Sequence, residues 1–246
     1  MRTYEGTFAF KTDRGRIRVA NEDQARVAVN AKRDVLLVVC DGMGGQNKGD
    51  YASKHACDDL VEAFLERRGS PKFTKWWLSR TIKRINRDIY SEAEKSPIYK
   101  DMGTTLVAIV IEGMQMTIAN IGDSRAYMYS SGNLQRLTED QTYVDFLYRA
   151  GKISESETKT RADRHVLMNA LGIFPSVSVD VSTHPYAGQA ILCCSDGLYN
   201  NISEAEIRAV LSSDDRCDIK VNALIEEANA NGGSDNIAVA YWESKR

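Results

Sequence analysis

Long apolar runs are missing from this sequence. The two longest, Val35–Cys40 and Leu106–Ile111, have strand length, far short of the ~18 residues a membrane-spanning helix needs, so no integral membrane association is expected. The N-terminal MRTYEGTFAFKTDRGRIR alternates polar and apolar residues and lacks the roughly 7–15 residue apolar core of a secretory signal. Proline is scarce, with 4 residues, and no Pro- or Ser-rich linker divides the chain; residues 1–246 therefore read as a single domain. The five cysteines (Cys40, Cys57, Cys193, Cys194, Cys217) are odd in number and form no CxxC pair. That argues against a zinc site and against a disulfide framework, and buried reduced thiols in a cytoplasmic protein are the expectation. No charge excess exists either: 32 basic against 34 acidic residues leave a net charge of −2, and a dedicated nucleic-acid binder usually carries a basic surplus. What remains is ordinary globular composition, 43% apolar over 246 residues, enough to bury a core without staples.

The pattern along the chain is strand-rich. VLLVVC at Val35–Cys40 is continuous and rich in β-branched residues, as in a strand covered on both faces. Helical stretches follow near Gly49–Arg67 and Pro71–Glu94. Short runs at Thr104–Ile111, Met114–Ala119, Ser124–Ser130 and Leu134–Leu137 are separated by turn residues such as Glu112-Gly113, Gly122-Asp123 and Ser131-Gly132-Asn133, which predicts an antiparallel meander. Asp140–Arg164 is polar with a modest helical pattern. Strands are expected at Val177–Thr183, Ala190–Cys194 and Ile237–Trp242, and helices at Ser203–Leu211 and Arg216–Ala230. Strand runs bracketing helix pairs point to an α+β fold with helices outside antiparallel sheets.

Within Trp77–Tyr90, Leu78, Ile82, Ile85 and Ile89 form an apolar stripe at helical spacing, with Arg80, Lys83, Arg84 and Arg87 opposite. From Arg67 to Arg87 there are eight Lys/Arg and no Asp/Glu. The stretch reads either as a solvated helix face or as a docking patch for an acidic partner.

Acidic turns carry the chemistry. VLLVVC delivers Asp41-Gly42-Met43-Gly44-Gly45, and AILCCS delivers Asp196-Gly197-Leu198; Asn21-Glu22-Asp23, Gly122-Asp123-Ser124-Arg125 and Gly232-Gly233-Ser234-Asp235-Asn236 add three more such turns. One Asp-Gly after a strand is turn chemistry. If all these strand ends converge, however, the site gathers a crowd of carboxylates that must either protonate or recruit cations. Oxygen-only donors select Mg²⁺ or Mn²⁺ rather than zinc, and none of His55, His165 and His184 lies in these turns. A metal pair is the usual apparatus for phosphate-ester hydrolysis, and Arg18, four residues before Glu22, offers a fork for phosphate oxygens.

Seven segments in order, Arg18-Val-Ala-Asn21-Glu22-Asp23, Asp41-Gly42-Met43-Gly44-Gly45, Gly103-Thr104-Thr105, Asn120-Ile-Gly122-Asp123-Ser124-Arg125, Leu137-Thr138-Glu139-Asp140, Ser195-Asp196-Gly197-Leu198 and Gly232-Gly233-Ser234-Asp235-Asn236-Ile237, resemble the metal-dependent Ser/Thr protein phosphatases of the PP2C (PPM) family in their compact bacterial form. The resemblance implies a four-layer αββα sandwich of two antiparallel sheets flanked by helix pairs, with a flap near residues 140–165. It implies a dinuclear Mn²⁺ or Mg²⁺ centre and a third, weaker metal. Asp41 would bridge the pair and the Gly42 carbonyl would bind one ion; Asp196 and Asp235 complete the first ion's ligands, and Glu22 serves the second. Asp23 would orient metal-bound water, Asp123 with Asp196 would form the third site, and Arg18 would hold the substrate phosphate. A metal-activated water then attacks phosphoserine or phosphothreonine in line. Phosphorylated proteins are the implied partners, with a bacterial Ser/Thr kinase and its targets among them. The sequence departs from the family at Met43, where animal members carry a proposed general-acid His, and at Gln46 and Gln141, where bacterial members often carry His. Gly49-Asp50 stands for the common Gly-Glu. The competing readings are a catalytically weak regulatory or scaffold module binding a kinase, which should have lost a metal Asp, and a two-metal nuclease, which should show a basic groove at its centre.

Overall fold

The computed structural model describes residues 4–44, 48–68 and 70–245; the Gly45 and Gln46 positions discussed above lie outside the described residues. One sheet orders its strands β1 (Gly6–Asp13), β11 (Ile237–Ser244), β10 (Ala190–Cys194), β7 (Arg125–Ser130) and β8 (Asn133–Arg136). The other runs β2 (Asp23–Val29), β3 (Val35–Met43), β5 (Leu106–Glu112), β6 (Gln115–Ile121) and β9 (Asp180–Pro185), with the short β4 (Gly103–Thr104) paired to the end of β3. Every pairing is antiparallel.

Period-2 alternation sorts the apolar strands into three core layers. In β3, Leu36, Val38 and Cys40 face helices α1 (Lys48–Leu65) and α2 (Thr74–Lys95), while Val35, Leu37 and Val39 face the sheet that contains β10. In β10, Ile191 and Cys193 point between the sheets; Ala190, Leu192 and Cys194 point out to α6 (Glu204–Leu211) and α7 (Cys217–Ala230). The adjacent cysteines thus belong to opposite faces, and all five thiols are free and buried. The layers are αββα, as expected from the sequence. The stripe Leu78, Ile82, Ile85, Ile89 is fully buried against the sheet that contains β3.

Some boundaries differ from expectation. β1 and β2 are full strands that the pass along the chain did not delimit, because half-exposed alternation is weaker than a buried run. β9 begins at Asp180 rather than Val177, since its pairing ends at Asn120, close to the turn of β6 at Gly122. The polar segment after β8 holds two short helices, α3 (Tyr143–Arg149) and α4 (Glu155–Thr160). Thr142 caps α3, and a Ser154–Glu157 capping box starts α4, which buries nothing.

Candidate active site

The strand ends meet in a cleft of about 380 Å³. Asp41 stands where the apolar run of β3 stops. Its N–H donates to Thr105 Oγ1 at 3.0 Å, and its carbonyl accepts from Thr105 N–H and Thr104 Oγ1, both at 2.9 Å. With its backbone fully engaged, the residue has only its carboxylate to offer the cleft. The β2–β3 register sets Asp23 directly opposite Asp41. Gly42 follows because the backbone is crowded: a Cβ there would lie 2.3 Å from the Gly49 carbonyl and 2.5 Å from that of Glu22.

The other sheet supplies the facing groups. β10 leads into Ser195, whose hydroxyl donates to Asp23 Oδ2 at 2.6 Å and accepts from Ala238 N–H at 2.8 Å, tying the two sheets together. Asp196 opens the four-residue α5 (Asp196–Tyr199), with Asn200 Nδ2 donating to its Oδ2 at 3.0 Å. Gly197 is sterically required, since a Cβ would meet the Asn236 carbonyl at 1.9 Å. Asn236 organises the whole Arg14–Glu22 loop: its Oδ1 accepts the Glu22 N–H at 2.9 Å, and its Nδ2 donates to the Arg14 and Ala20 carbonyls at 2.8 Å. Asp123 sits in the turn after β6. That turn is held by Gln141, whose Oε1 accepts the Gly122 N–H at 3.1 Å while its own N–H donates to the Gly122 carbonyl at 3.0 Å.

Crowding sets the electrostatics. Burial pushes Asp23 up to about 8; the Ser195 hydroxyl opposes this, and Asp196 and Asp235 reinforce it. Asp41 lies well above the usual carboxylate range because of burial and then repulsion from Asp23, Asp196, Asp123 and Asp235. Asp123 is raised by burial and by Asp196 and Asp140. Asp196 rises to about 6, with burial and Asp235 outweighing the relief from Arg18. With no cation present, carboxyl groups crowded around Asp41 in this way favour holding protons. The donors are all oxygen, which suits a hard divalent ion. Glu22 Oε1 is buried without a hydrogen-bond partner, as a ligand atom reserved for a cation would be.

Arg18, Glu22, Asp41, Gly42, Asp123, Asp196 and Asp235 all line the cleft. Asp23 does not; it is buried behind Asp41. Arg18, expected to hold phosphate, donates to Asp235 Oδ2 at 2.7 Å, with 55% of its side chain exposed. Met43 lines the cleft at the position noted above. Sequence reasoning gave no role to Ser195, Asn236 or Thr105, and it missed His165, whose Nδ1 lies 3.8 Å from Asp196 Oδ2. The Asx chemistry of Ser-Asp-Asn was a visible signal for Asn236; nothing in the spacing marked His165.

Sequence comparison agrees with this geometry. The model of the family described as Protein phosphatase 2C matches residues 16–226. The chain belongs to the protein phosphatase 2C family. Among its relatives, the serine/threonine phosphatase stp of Listeria innocua is 39% identical over 237 residues, covering 95% of this chain and 94% of its own length. The crystal structure of the serine/threonine phosphatase Stp1 from Staphylococcus aureus has a TM-score of 0.93 and 31% identity, covering 100% of this chain and 98% of that one. The catalytic domain of the serine threonine protein phosphatase PstP, solved in complex with 2 manganese ions, has a TM-score of 0.87 at 30% identity and covers 99% of this chain and 100% of that one. Within this protein phosphatase 2C fold, Glu22, Asp41, Asp123, Asp196 and Asp235 each lie at a strand end or in an adjoining turn that lines the cleft.

Proposed function

We propose that this protein is a metal-dependent protein serine/threonine phosphatase acting on phosphoserine and phosphothreonine. The observation that carries the reading is the convergence of Glu22, Asp41, Asp123, Asp196 and Asp235 on one cleft with Arg18 beside them. Asp41, the Gly42 carbonyl, Asp196 and Asp235 would hold one Mn²⁺ or Mg²⁺, with Asp41 and Glu22 holding a second; Asp123 with Asp196 offers a third, weaker site. When bound, such ions lower the pKa of water and neutralise charge on the transferring phosphoryl oxygens.

The chain's own groups do the rest. Arg18 has a planar fork matched to phosphate oxygens, and with Asp235 serving as a metal ligand its guanidinium, now on Asp235, would be free to meet the substrate. Asp23, fixed through Oδ2 by the Ser195 hydroxyl and set opposite Asp41 in the strand register, would orient water at the site. The protein phosphatase 2C relatives support the substrate class, and a Ser/Thr kinase with its targets is the partner set that such an activity opposes. We place the protein in the cytoplasm; among the described residues no helix is long and apolar enough to cross a membrane. The whole chain would work as one domain, with residues 140–165 as a flap beside the cleft. A phosphothreonine peptide assayed with Mn²⁺ and again after chelation tests this: release of phosphate that stops on chelation is expected, and equal rates in both would overturn it.

A further inference from the structure

A second concavity, outside the catalytic cleft, has a composition unlike the rest of the molecule. Lys72, Lys75, Arg80, Lys83 and Arg87 are exposed along one side of α2 and its leading turn. With Trp76, Val179 and the start of β9 at Asp180 and Val181, they line a groove of about 930 Å³. Within α2, Trp76, Arg80, Lys83 and Arg87 follow one another at intervals of four, three and four residues, so they share one face of the helix. Lys72, Lys75, Lys83 and Arg87 make no ion pair among the described residues, whereas other cations of the same run are engaged: Arg67 pairs with the buried Glu112, and Arg84 turns to Asp59 and Asp88. Arg80 lies over the Trp76 ring at 5.2 Å, and that ring is 61% exposed. One acid, Asp180, lies on the wall. A chain of net charge −2 has concentrated unneutralised positive charge in one place.

Two further features say what fits there. β9 is the last strand of its sheet, so its outer backbone groups are open to an extended segment. The groove is also tied to the catalytic cleft. Asn86, buried in α2, accepts the Gly172 N–H on Oδ1 at 2.9 Å and donates Nδ2 to the Phe174 carbonyl at 3.0 Å. Ile173 and Phe174 line the cleft. From Phe174 to Val179 is five residues, a reach of at most about 18 Å.

We propose that this groove docks an acidic, extended segment of the phosphoprotein substrate, about five or more residues from the phosphorylated side chain. The proposal rests on the phosphatase reading given above. Unpaired lysines and Arg87 supply the charge complement, Trp76 an apolar contact, and the β9 edge a backbone partner. An anionic bilayer is a poorer occupant, since a lipid surface meets a raised face rather than a groove beside a strand edge. Local potential of this kind raises encounter rates at low salt and fades with screening.

The test uses two phosphothreonine peptides alike except for a block about six residues from the phosphate, acidic in one and neutral in the other. With the Mn²⁺-loaded full chain at low salt, the acidic peptide should show a kcat/KM about tenfold higher, and the advantage should shrink as salt rises. The triple variant Lys75→Glu, Lys83→Glu, Arg87→Glu, all exposed side chains with no ion pair among the described residues, should lose that preference while hydrolysing an aryl phosphate and the neutral peptide at the parent rate; Arg84→Gln should keep it. Equal rates on both peptides in the parent, or a preference that survives in the triple variant, overturns the proposal. Anisotropy with the unphosphorylated acidic peptide separates the two readings: if no phosphate is released from any substrate, binding that the triple variant abolishes still supports the groove. Cosedimentation with phosphatidylserine vesicles that the triple variant abolishes, with no peptide preference, assigns the patch to a membrane instead and overturns the proposal.

Discussion

Removing the metal should leave a protein whose stability falls as pH rises through neutrality. Asp23 titrates at about 8 when folded against an ordinary 3.8, so between those values the native state holds a proton that the unfolded chain has released. Stability from this group is therefore fully present below about pH 4, declines across the window and is gone above about pH 8. Integrating the linkage gives a loss of about 2 kcal/mol between pH 6 and pH 8 for Asp23 alone, and the raised Asp41 and Asp123 act in the same direction. Because the carboxyls interact, the loss belongs to the cluster rather than to one member. His165, lowered by burial, works oppositely, its contribution growing as pH rises toward about 6.5 and complete above it. Comparison with Asp23→Asn removes that background. Urea unfolding in chelator at pH 6, 7 and 8, followed by tryptophan fluorescence with the buried Trp242 as reporter, measures the difference. The parent should lose about 2 kcal/mol more than Asp23→Asn over the window, and saturating Mn²⁺ should erase the excess, because protons compete with metal for these oxygens. A metal-free parent no more pH-sensitive than Asp23→Asn would refute the reasoning.

Other substitutions separate the roles. Arg18→Ala should raise KM for phosphorylated substrates and weaken inhibition by phosphate about tenfold or more, while calorimetry shows Mn²⁺ affinity not reduced, since its present partner is a carboxylate a metal would take; a drop as large as that of Asp235→Ala would contradict this. Asp123→Ala should keep two metals in a titration yet lose much of the rate, and unchanged kinetics would reduce Asp123 to a turn residue. Arg67→Ala should destabilise by about 3–5 kcal/mol, because its guanidinium and the Glu112 carboxylate, 2.7 Å apart and each 5% exposed, are a buried pair; a change under about 1 kcal/mol in chemical denaturation would mean that the pair behaves as a surface contact.

The layers were legible because their signal is periodic. Val35–Cys40 and Ala190–Cys194 are buried on both faces, and a continuous apolar run records that directly. The α2 stripe was equally plain. The acidic turns could be read as one site because each closes a strand, and antiparallel sandwiches bring alternate strand ends to the same edge. Contacts across the sheets were not legible: Ser195 meets Asp23 from 172 residues away, and Asn236 holds a loop 216 residues upstream at Ala20. No local pattern encodes such distances. The basic run misled in part for the same reason. Arg67 and Arg84 look like their neighbours in sequence, but one is buried on Glu112 and the other pairs with Asp59 across the α1–α2 contact. His55, Asp59 and Asp88 bring donor atoms within 4.8 Å of one another there, and Arg84 neutralises that cluster, away from the cleft.

The central proposal is that Asp41 would serve as a ligand to two cations. Titrating Mn²⁺ into the metal-free protein by calorimetry at about pH 7.5, alongside Asp41→Asn, tests it most directly. The account predicts two high-affinity ions in the parent, phosphatase activity that rises with their occupancy, and loss of both ions and activity in a variant that still folds, since removing one crowded acid relieves repulsion. Asp41→Asn that binds two Mn²⁺ with parental affinity and turns over substrate at the parental rate would contradict it.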